Sequence, residues 1–521
     1  MAGDRLFAPH GANSGAGGMM AVGRLGRQRG VGMLAGLLWL AGCGQAQYPA
    51  TPVLRMGLAQ PVLDLDPRRG GDAASARVAR LLYSRLIDLD ATYQPRPAAA
   101  DWQQLDTLHY RLTLRQPVPR FGDGSRLVAA DVVATYRAVL DPAAASPLRA
   151  ELGPLASVHA TADGQIDFTL SQPDALFPGR LTLGILPARC AGSVSATPPC
   201  HYDGSGPFAL ETLTADRVRL RRRSDDLGLE FQVVPDPTVR VLKLLRGELD
   251  LLQNDLPPEL LRELGRRPGV QVVRAAGSSY HYLGFNLADP VTGDLRVRQA
   301  VAHAIDREAL VRYLLAGAAV PAGSVLPPGH YAAARLLPYE YDPALARRLL
   351  AEAGLNSPRL VYKTSTDPVR IRIATALQAQ LAAAGIRVQV QSHEWGSFFG
   401  DVRAGRFQLY SLAWVGIRQP DALRHIFHSG SLPPGGANRG RFANPAVDAL
   451  LDAAARTSGE RQAALYRQAQ ITVHEALPYV PLWYEDNVYV ARAGVRGYML
   501  RPDGAYDALE FTEPPHARDS D

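Results

Sequence analysis

The stretch SSYHYLGFNLADPVTGDLRVRQAVAHAIDREALVRYLLAG, residues 278–317, decides how the rest of the chain is read. Tyr280, Tyr282 and Phe285 alternate with His281 and Leu283 in the manner of a half-buried strand, which Asn286 and Asp289-Pro290 end. Asp294 stands where a carboxylate caps the free N–H groups of a helix, and Val297, Val301, Ala304 and Ile305 share one face of that helix. Asp306 restarts the pattern for Leu310, Val311, Leu314 and Leu315, and Gly317 supplies the left-handed residue on which helices commonly end. An aromatic strand running through a breaker into two amphipathic helices is expected where one large lobe passes into another and floors a cleft. Tyr280, Tyr282, Phe285 and Asn286 are therefore candidate ligand-facing residues, with the alternative that buried aromatics are simply core.

Beyond this crossing the pattern is regular. Asp342 and Pro343 cap a helix whose Leu345, Leu349 and Leu350 face inward. A strand at 360–363, a helix at 368–384 and a strand at 386–390 form a β-α-β unit, which implies parallel strands and a right-handed crossover. A strand at 407–413 follows, with Trp414 at its carboxyl end, where open α/β sheets tend to place ligands. Helices from Asn444-Pro445 and over 460–475 precede residues 478–483, which should return the chain to the first lobe. Before the crossing the spacing predicts a strand at 53–60, a helix carrying Val78, Leu81, Leu82 and Leu86, and a strand at 107–115. It also predicts a hairpin over 158–170 turning at Asp163-Gly164 and strands around 218–220 and 229–233.

A chain of 521 residues exceeds what one hydrophobic core organises, so more than one globular unit is expected. The net charge is +6, but Arg5, Arg24, Arg27 and Arg29 against Asp4 put half of it in the first 42 residues. What remains is too dilute to argue for nucleic acid. Arg24, Arg27 and Arg29 precede an apolar run at 31–40, too short to span a bilayer and suited to the core of a secretory signal. Translation could start at Met1, Met19 or Met20. The run ends in Leu40-Ala41-Gly42-Cys43, which looks like a bacterial lipobox, with Cys43 lipidated and membrane-anchored outside the cytoplasm. Cys190 and Cys200 could then close a disulfide in an oxidising compartment.

Enzyme motifs are weak. The nucleophile elbow needs glycines two positions either side of its serine, whereas in Gly204-Ser205-Gly206 they are adjacent, as a backbone turn would require. No phosphate loop or HExxH motif occurs. His425 and His428 lie one helical turn apart and could ligate a metal, which keeps a metal receptor as an alternative reading; no acidic or Cys partner is adjacent, so no metal or cofactor is assigned.

Several stretches, in this order, carry a resemblance: the lipobox, Arg111-Leu112-Thr113-Leu114-Arg115, Phe121-Gly122-Asp123-Gly124, Ala130-Asp131-Val132 and Ser205-Gly206-Pro207-Phe208 in the first half. Gly284-Phe285-Asn286, residues 296–300, Ala304-Ile305-Asp306-Arg307 and Tyr479-Val480-Pro481-Leu482 complete it. Together they resemble the extracellular solute-binding proteins of family 5, the peptide-, nickel- and opine-binding receptors of ATP-driven importers. The resemblance implies an α/β, two-lobed periplasmic binding protein fold of type II, with an extra subdomain inserted in lobe I. The implied division is a signal peptide at 1–42, a lipidated tether at 43–52, and lobe I at 53–284 with the insert at about 68–203. Lobe II would follow at 285–476, and the return to lobe I at 477–521. It also implies a monomer that closes on a peptide or small solute and hands it to an ABC permease and ATPase, hinging near Phe285-Asn286 and residues 479–483.

One position departs from the family. Many of its peptide receptors place an aspartate three residues after the tryptophan to hold the peptide ammonium, and here that residue is Ile417. Arg418 follows, in the loop the family points at its ligand, and its planar fork suits a carboxylate. Asp421 could serve the ammonium if the loop turns it inward.

Overall fold

The strand at the crossing is longer than its periodicity indicates. In the computed structural model, which describes residues 52–69, 72–144, 146–192 and 202–515, it runs Val270–Phe285 and pairs antiparallel with Tyr479–Arg492. These two strands are the seam of an 11-stranded sheet. On one side lie Leu409–Trp414, Arg359–Ser365 and Arg387–His393; on the other lie Leu251–Gln253, Val53–Leu58, Gly228–Val233, Arg217–Arg222 and Phe208–Leu213, while Ala319–Pro321 pairs with Tyr479–Arg492 off this order.

The register of the seam slips midway: Val270 to Ala275 pair with Arg492 to Asn487, and the ladder resumes only at Ser279 opposite Glu485. Residues 276–278 bulge out between the two sections. A side chain at Gly277 would put its Cβ 2.2 Å from the carbonyl oxygen of Glu485, so this close approach of two backbones requires glycine.

Alternation along the strand decides which core each residue enters. Tyr280 and Tyr282 point into one cluster with Phe398, Ile417, Phe427 and Tyr479, while Leu283 and Phe285 point to the opposite face, with Leu360, Leu377 and Trp483. Helix Pro368–Ala383 covers that second face and crosses between the parallel strands Arg359–Ser365 and Arg387–His393. Asp367 caps it, accepting from the N–H groups of Val369 and Arg370.

Helix Leu295–His303 forms behind Asp294, whose carboxylate accepts from Arg296 N–H. The second helix is shorter than its spacing predicts: Arg307–Ala309 passes into a π turn at Leu310–Leu314, and Gly317 takes a φ of +72°. Early in the chain, helix Ala73–Leu82 stops before Leu86, which packs instead in a separate core with Tyr136, Phe168 and Phe177. That core lies between helix Ala129–Leu140 and a four-stranded sheet ordered Ala100–Gln104, His109–Leu114, Gln165–Leu170, Leu155–Ala162.

Cys190 is buried and disulfide-bonded, while Cys200, Cys43 and the leader lie outside the described residues. Gly206 sits where a Cβ would meet the Leu81 and Leu82 backbone at 2.6 Å, the tight turn rather than a nucleophile elbow. Among the described residues no helix is long and apolar enough to cross a membrane.

Candidate functional site

The bulge of the seam opens into a cleft of about 570 Å³, within the range of small-ligand sites. One wall is built by Arg77, Asn254, Asp255 and Asp503, the other by Leu314, Val369, Arg372, Val415 and Gly416. Ser278, Ser279, Glu485, Asp486 and Asn487 of the seam form the floor.

The second wall carries unused backbone. Leu409–Trp414 makes its last ladder pair between Trp414 and Tyr280, and the chain runs on through Val415, which is 71% exposed, and Gly416. Among the described residues the N–H and C=O groups of Val415 and Gly416 have no backbone partner. A sheet strand that outruns its neighbours into a cleft can pair with an extended ligand.

The first wall and floor are acidic. Asn254 and Asp255 both hold positive φ, 57° and 53°, a conformation that asparagine and aspartate tolerate best among residues with side chains. This turn brings the Asp255 carboxylate into the cleft without a hydrogen bond or ion pair among the described residues. Burial raises its pKa, Arg77 and Arg240 oppose the shift, and Glu485 adds to it. Asp486 is pushed up to about 6, again chiefly by burial, with Arg274 opposing and Glu485 reinforcing. Under the floor, His281 is buried, stacked on Trp483 at 5.4 Å, and held between Arg370 and Glu485. Arg370 can only donate, so the ring accepts at Nδ1 and donates from Nε2–H to Glu485 Oε2 at 2.9 Å. Burial, helped by the charge of Arg370, keeps His281 below the ordinary histidine pKa against the pull of Glu485.

The residues singled out from sequence do not converge on one point. Phe285 is fully buried on the face opposite Tyr280 and Tyr282, so it is a core residue; the parity of the strand places it there. Asn286 spends its amide on the chain, donating to the carbonyls of Gly405 and Phe407 and accepting from Ala288 N–H. Arg418 meets Asp503 at 3.7 Å, and Asp421 is bound by Arg180, which also donates to Asp174 at 2.6 Å. The loop thus turns both charges toward residues far away in sequence, Asp503 of the cleft wall for Arg418 and Arg180 for Asp421. Ile417 packs in the core beside Phe427. His425 lies edge-on to Trp414, and among the described residues no group of His, Cys, Asp and Glu is arranged to hold a metal.

Tyr280, Tyr282 and Trp414 do belong to one aromatic cluster, whose centre is a residue that periodicity did not mark. The guanidinium carbon of Arg439 lies 4.7 Å from the centroid of the Trp414 ring and 5.3 Å from that of Phe399. Its Nη1 donates to Tyr282 Oη at 3.1 Å, and the Tyr282 ring stacks on Tyr479 at 4.0 Å. Asn438 fixes the base of this arginine: its side chain donates to the carbonyls of His428 and Phe442 and accepts from Phe442 N–H. The only local sign in the sequence is a polar Asn-Arg-Gly turn, which resembles many others.

Residues 92–431 match the family model for bacterial extracellular solute-binding proteins, family 5 Middle. The chain is 30% identical over 473 residues to the "Probable di/tripeptide-binding protein 5" of Pseudomonas aeruginosa, covering 82% of this chain and 89% of that one. It is 27% identical to the "Glutathione-binding protein GsiB" of Salmonella paratyphi A over 90% of this chain and 97% of that one. Among solved structures, the periplasmic binding protein DppA of Helicobacter pylori in complex with the peptide STSA superposes with a TM-score of 0.71 at 25% identity, covering 89% and 98% of the two chains.

Proposed function

We propose, from the premise that this chain belongs to the bacterial extracellular solute-binding proteins of family 5, that it captures a short peptide or peptide-like solute in the cleft and delivers it to an ABC permease. The fold is the two-lobed α/β fold of periplasmic binding proteins, and the family is one of receptors rather than enzymes. The observation that carries the peptide reading is the unpaired backbone of Val415 and Gly416, which continues a sheet strand into the cleft. An extended peptide satisfies such a strand with main-chain hydrogen bonds, whatever its side chains. The Asp255 carboxylate, without a hydrogen bond or ion pair among the described residues, supports a site for the peptide ammonium in place of the aspartate that Ile417 replaces.

Titration calorimetry with di- to pentapeptides tests the reading. One-to-one binding of at least one length class is expected, with Asp255→Asn weakening it roughly tenfold or more for peptides with a free amino terminus. No heat from any peptide, or hydrolysis of the peptide by the purified chain, would refute it.

We divide the chain into lobe I at 53–284 with its insert, lobe II at 285–476 and a return at 477–521. The register slip supports a flexing point within the seam, at residues 276–278 and Asp486, rather than at Phe285-Asn286. Anchoring through a lipidated Cys43 on the outer side of the membrane completes the reading. Cys43→Ser should release the protein into the soluble fraction with a lower mass; an unshifted, membrane-bound variant would exclude lipidation there.

A further inference from the structure

Arg418 is answered by Asp503, Arg180 by Asp421 and Asp174, and Arg424 by Asp452, while the buried Arg307 near Tyr280 is answered by backbone carbonyls. The Arg439 side chain has neither kind of partner. Its partners among the described residues are a phenol hydroxyl and two aromatic rings, and no carboxylate comes within the reach of an ion pair. Its Nη2 and Nε make no hydrogen bond and yet are not sealed from solvent, since neither is among the buried atoms left without a partner. By contrast Trp414 Nε1, in the same cluster, is buried with no acceptor. Two rings restrain the guanidinium plane, and the hydrogen-bonded Asn438 turn fixes the chain beneath it, so the free edge of the fork is preorganised. A half-buried cation that is unpaired and keeps free donors open to solvent suits an anion brought from solution. Trp414 ends its strand and immediately precedes the Val415-Gly416 backbone of the cleft wall, so Arg439, stacked on the indole, lies next to that wall without itself lining the cleft.

We propose that Arg439, held against Trp414 and Phe399, is a specificity-determining residue that receives a carboxylate of the cleft ligand. This rests on the cleft being the solute site. The carboxylate can belong to an acidic side chain or to the peptide terminus, and the probes separate the two.

The experiment measures, by calorimetry, the affinity ratio between Ala-Glu-Ala and Ala-Gln-Ala, and between Ala-Ala-Ala and its C-terminal amide, for the parent, Arg439→Gln and Arg439→Lys. A ratio within one protein is insensitive to how much of it is folded, and melting curves report any loss of fold separately. The parent is expected to favour the charged member of one pair by roughly tenfold to a hundredfold. Arg439→Gln should bring that ratio close to one, with Arg439→Lys between, because lysine keeps the charge and loses the fork. The pair that responds identifies the source of the carboxylate. A parent that binds the peptides with both ratios near one, or a ratio that Arg439→Gln leaves unchanged, overturns the role of Arg439 alone. A parent that binds no peptide overturns the peptide reading and this proposal with it.

Discussion

At the scale of single residues, the cleft floor sets two carboxylates, Glu485 and Asp486, side by side. Asp486, with a pKa near 6 in the folded chain, has its carboxylate half-buried beside Glu485. The unfolded chain returns it to the ordinary value near 4. Between these pH values the folded form binds the proton more tightly, so this residue's contribution to stability falls as pH rises from about 4 to about 6 and stays low above. Asp486→Asn should therefore stabilise the ligand-free protein at pH 7 by on the order of 1 kcal/mol, a value reduced for the water that reaches the site. The gain should vanish below about pH 4. Urea titrations of parent and variant at both pH values check this, and equal stability at pH 7 would contradict it. Arg418 and Arg439 illustrate how residue identity alone misleads: both are arginines in polar loops, and only their spatial neighbours, Asp503 for one and aromatic rings for the other, separate them.

At the scale of elements, the seam of Val270–Phe285 and Tyr479–Arg492 both joins the sheet and interrupts it. The interruption needs Gly277, whose missing side chain lets the Glu485 carbonyl approach. Gly277→Ala should cost about 1–3 kcal/mol, the usual range for overpacking, because backbone rather than a movable side chain must yield. Chemical denaturation measures the loss. If the bulge is the flexing point, the same variant should also slow ligand-induced closure in stopped-flow tryptophan fluorescence, whereas an unaltered rate would leave Gly277 a packing residue only. Much at this scale was legible in the sequence. Capping aspartates at 294 and 342, and apolar spacings of three and four, marked helices that form where they point. The long strand was less legible, since its polar middle around Ser278 and Ser279 lines the cleft and breaks the alternation.

At the scale of the whole molecule, the loop after Trp414 ties distant parts of the chain together. Asp421 is held by Arg180, and Arg418 by Asp503 of the C-terminal segment. If the lobes close on solute, these pairs are available to the closed form and must be broken to open it. Asp421→Asn should then speed release of a bound peptide severalfold while leaving association nearly unchanged, since neither Arg180 nor Asp421 lines the cleft. Surface plasmon resonance separates the two rates. Small-angle scattering should show the parent compacting with peptide and the variant compacting less; equal compaction and equal release would assign the pair to stability alone.

The sequence by itself determined what depends on near neighbours: the helices with their caps, the β-α-β unit, the aromatic alternation of the crossing strand, and the motif order that resembles family 5. Even the burial of Phe285 away from Tyr282 was implicit in strand parity. Only the tertiary structure decided which charges are already answered. Arg418 finds Asp503, Asp421 finds Arg180, and Asp255 and Arg439 find no opposite charge within ion-pair reach. An ion pair acts over a few ångströms of space between residues that lie far apart along the chain, whereas periodicity and capping register only separations of a few residues.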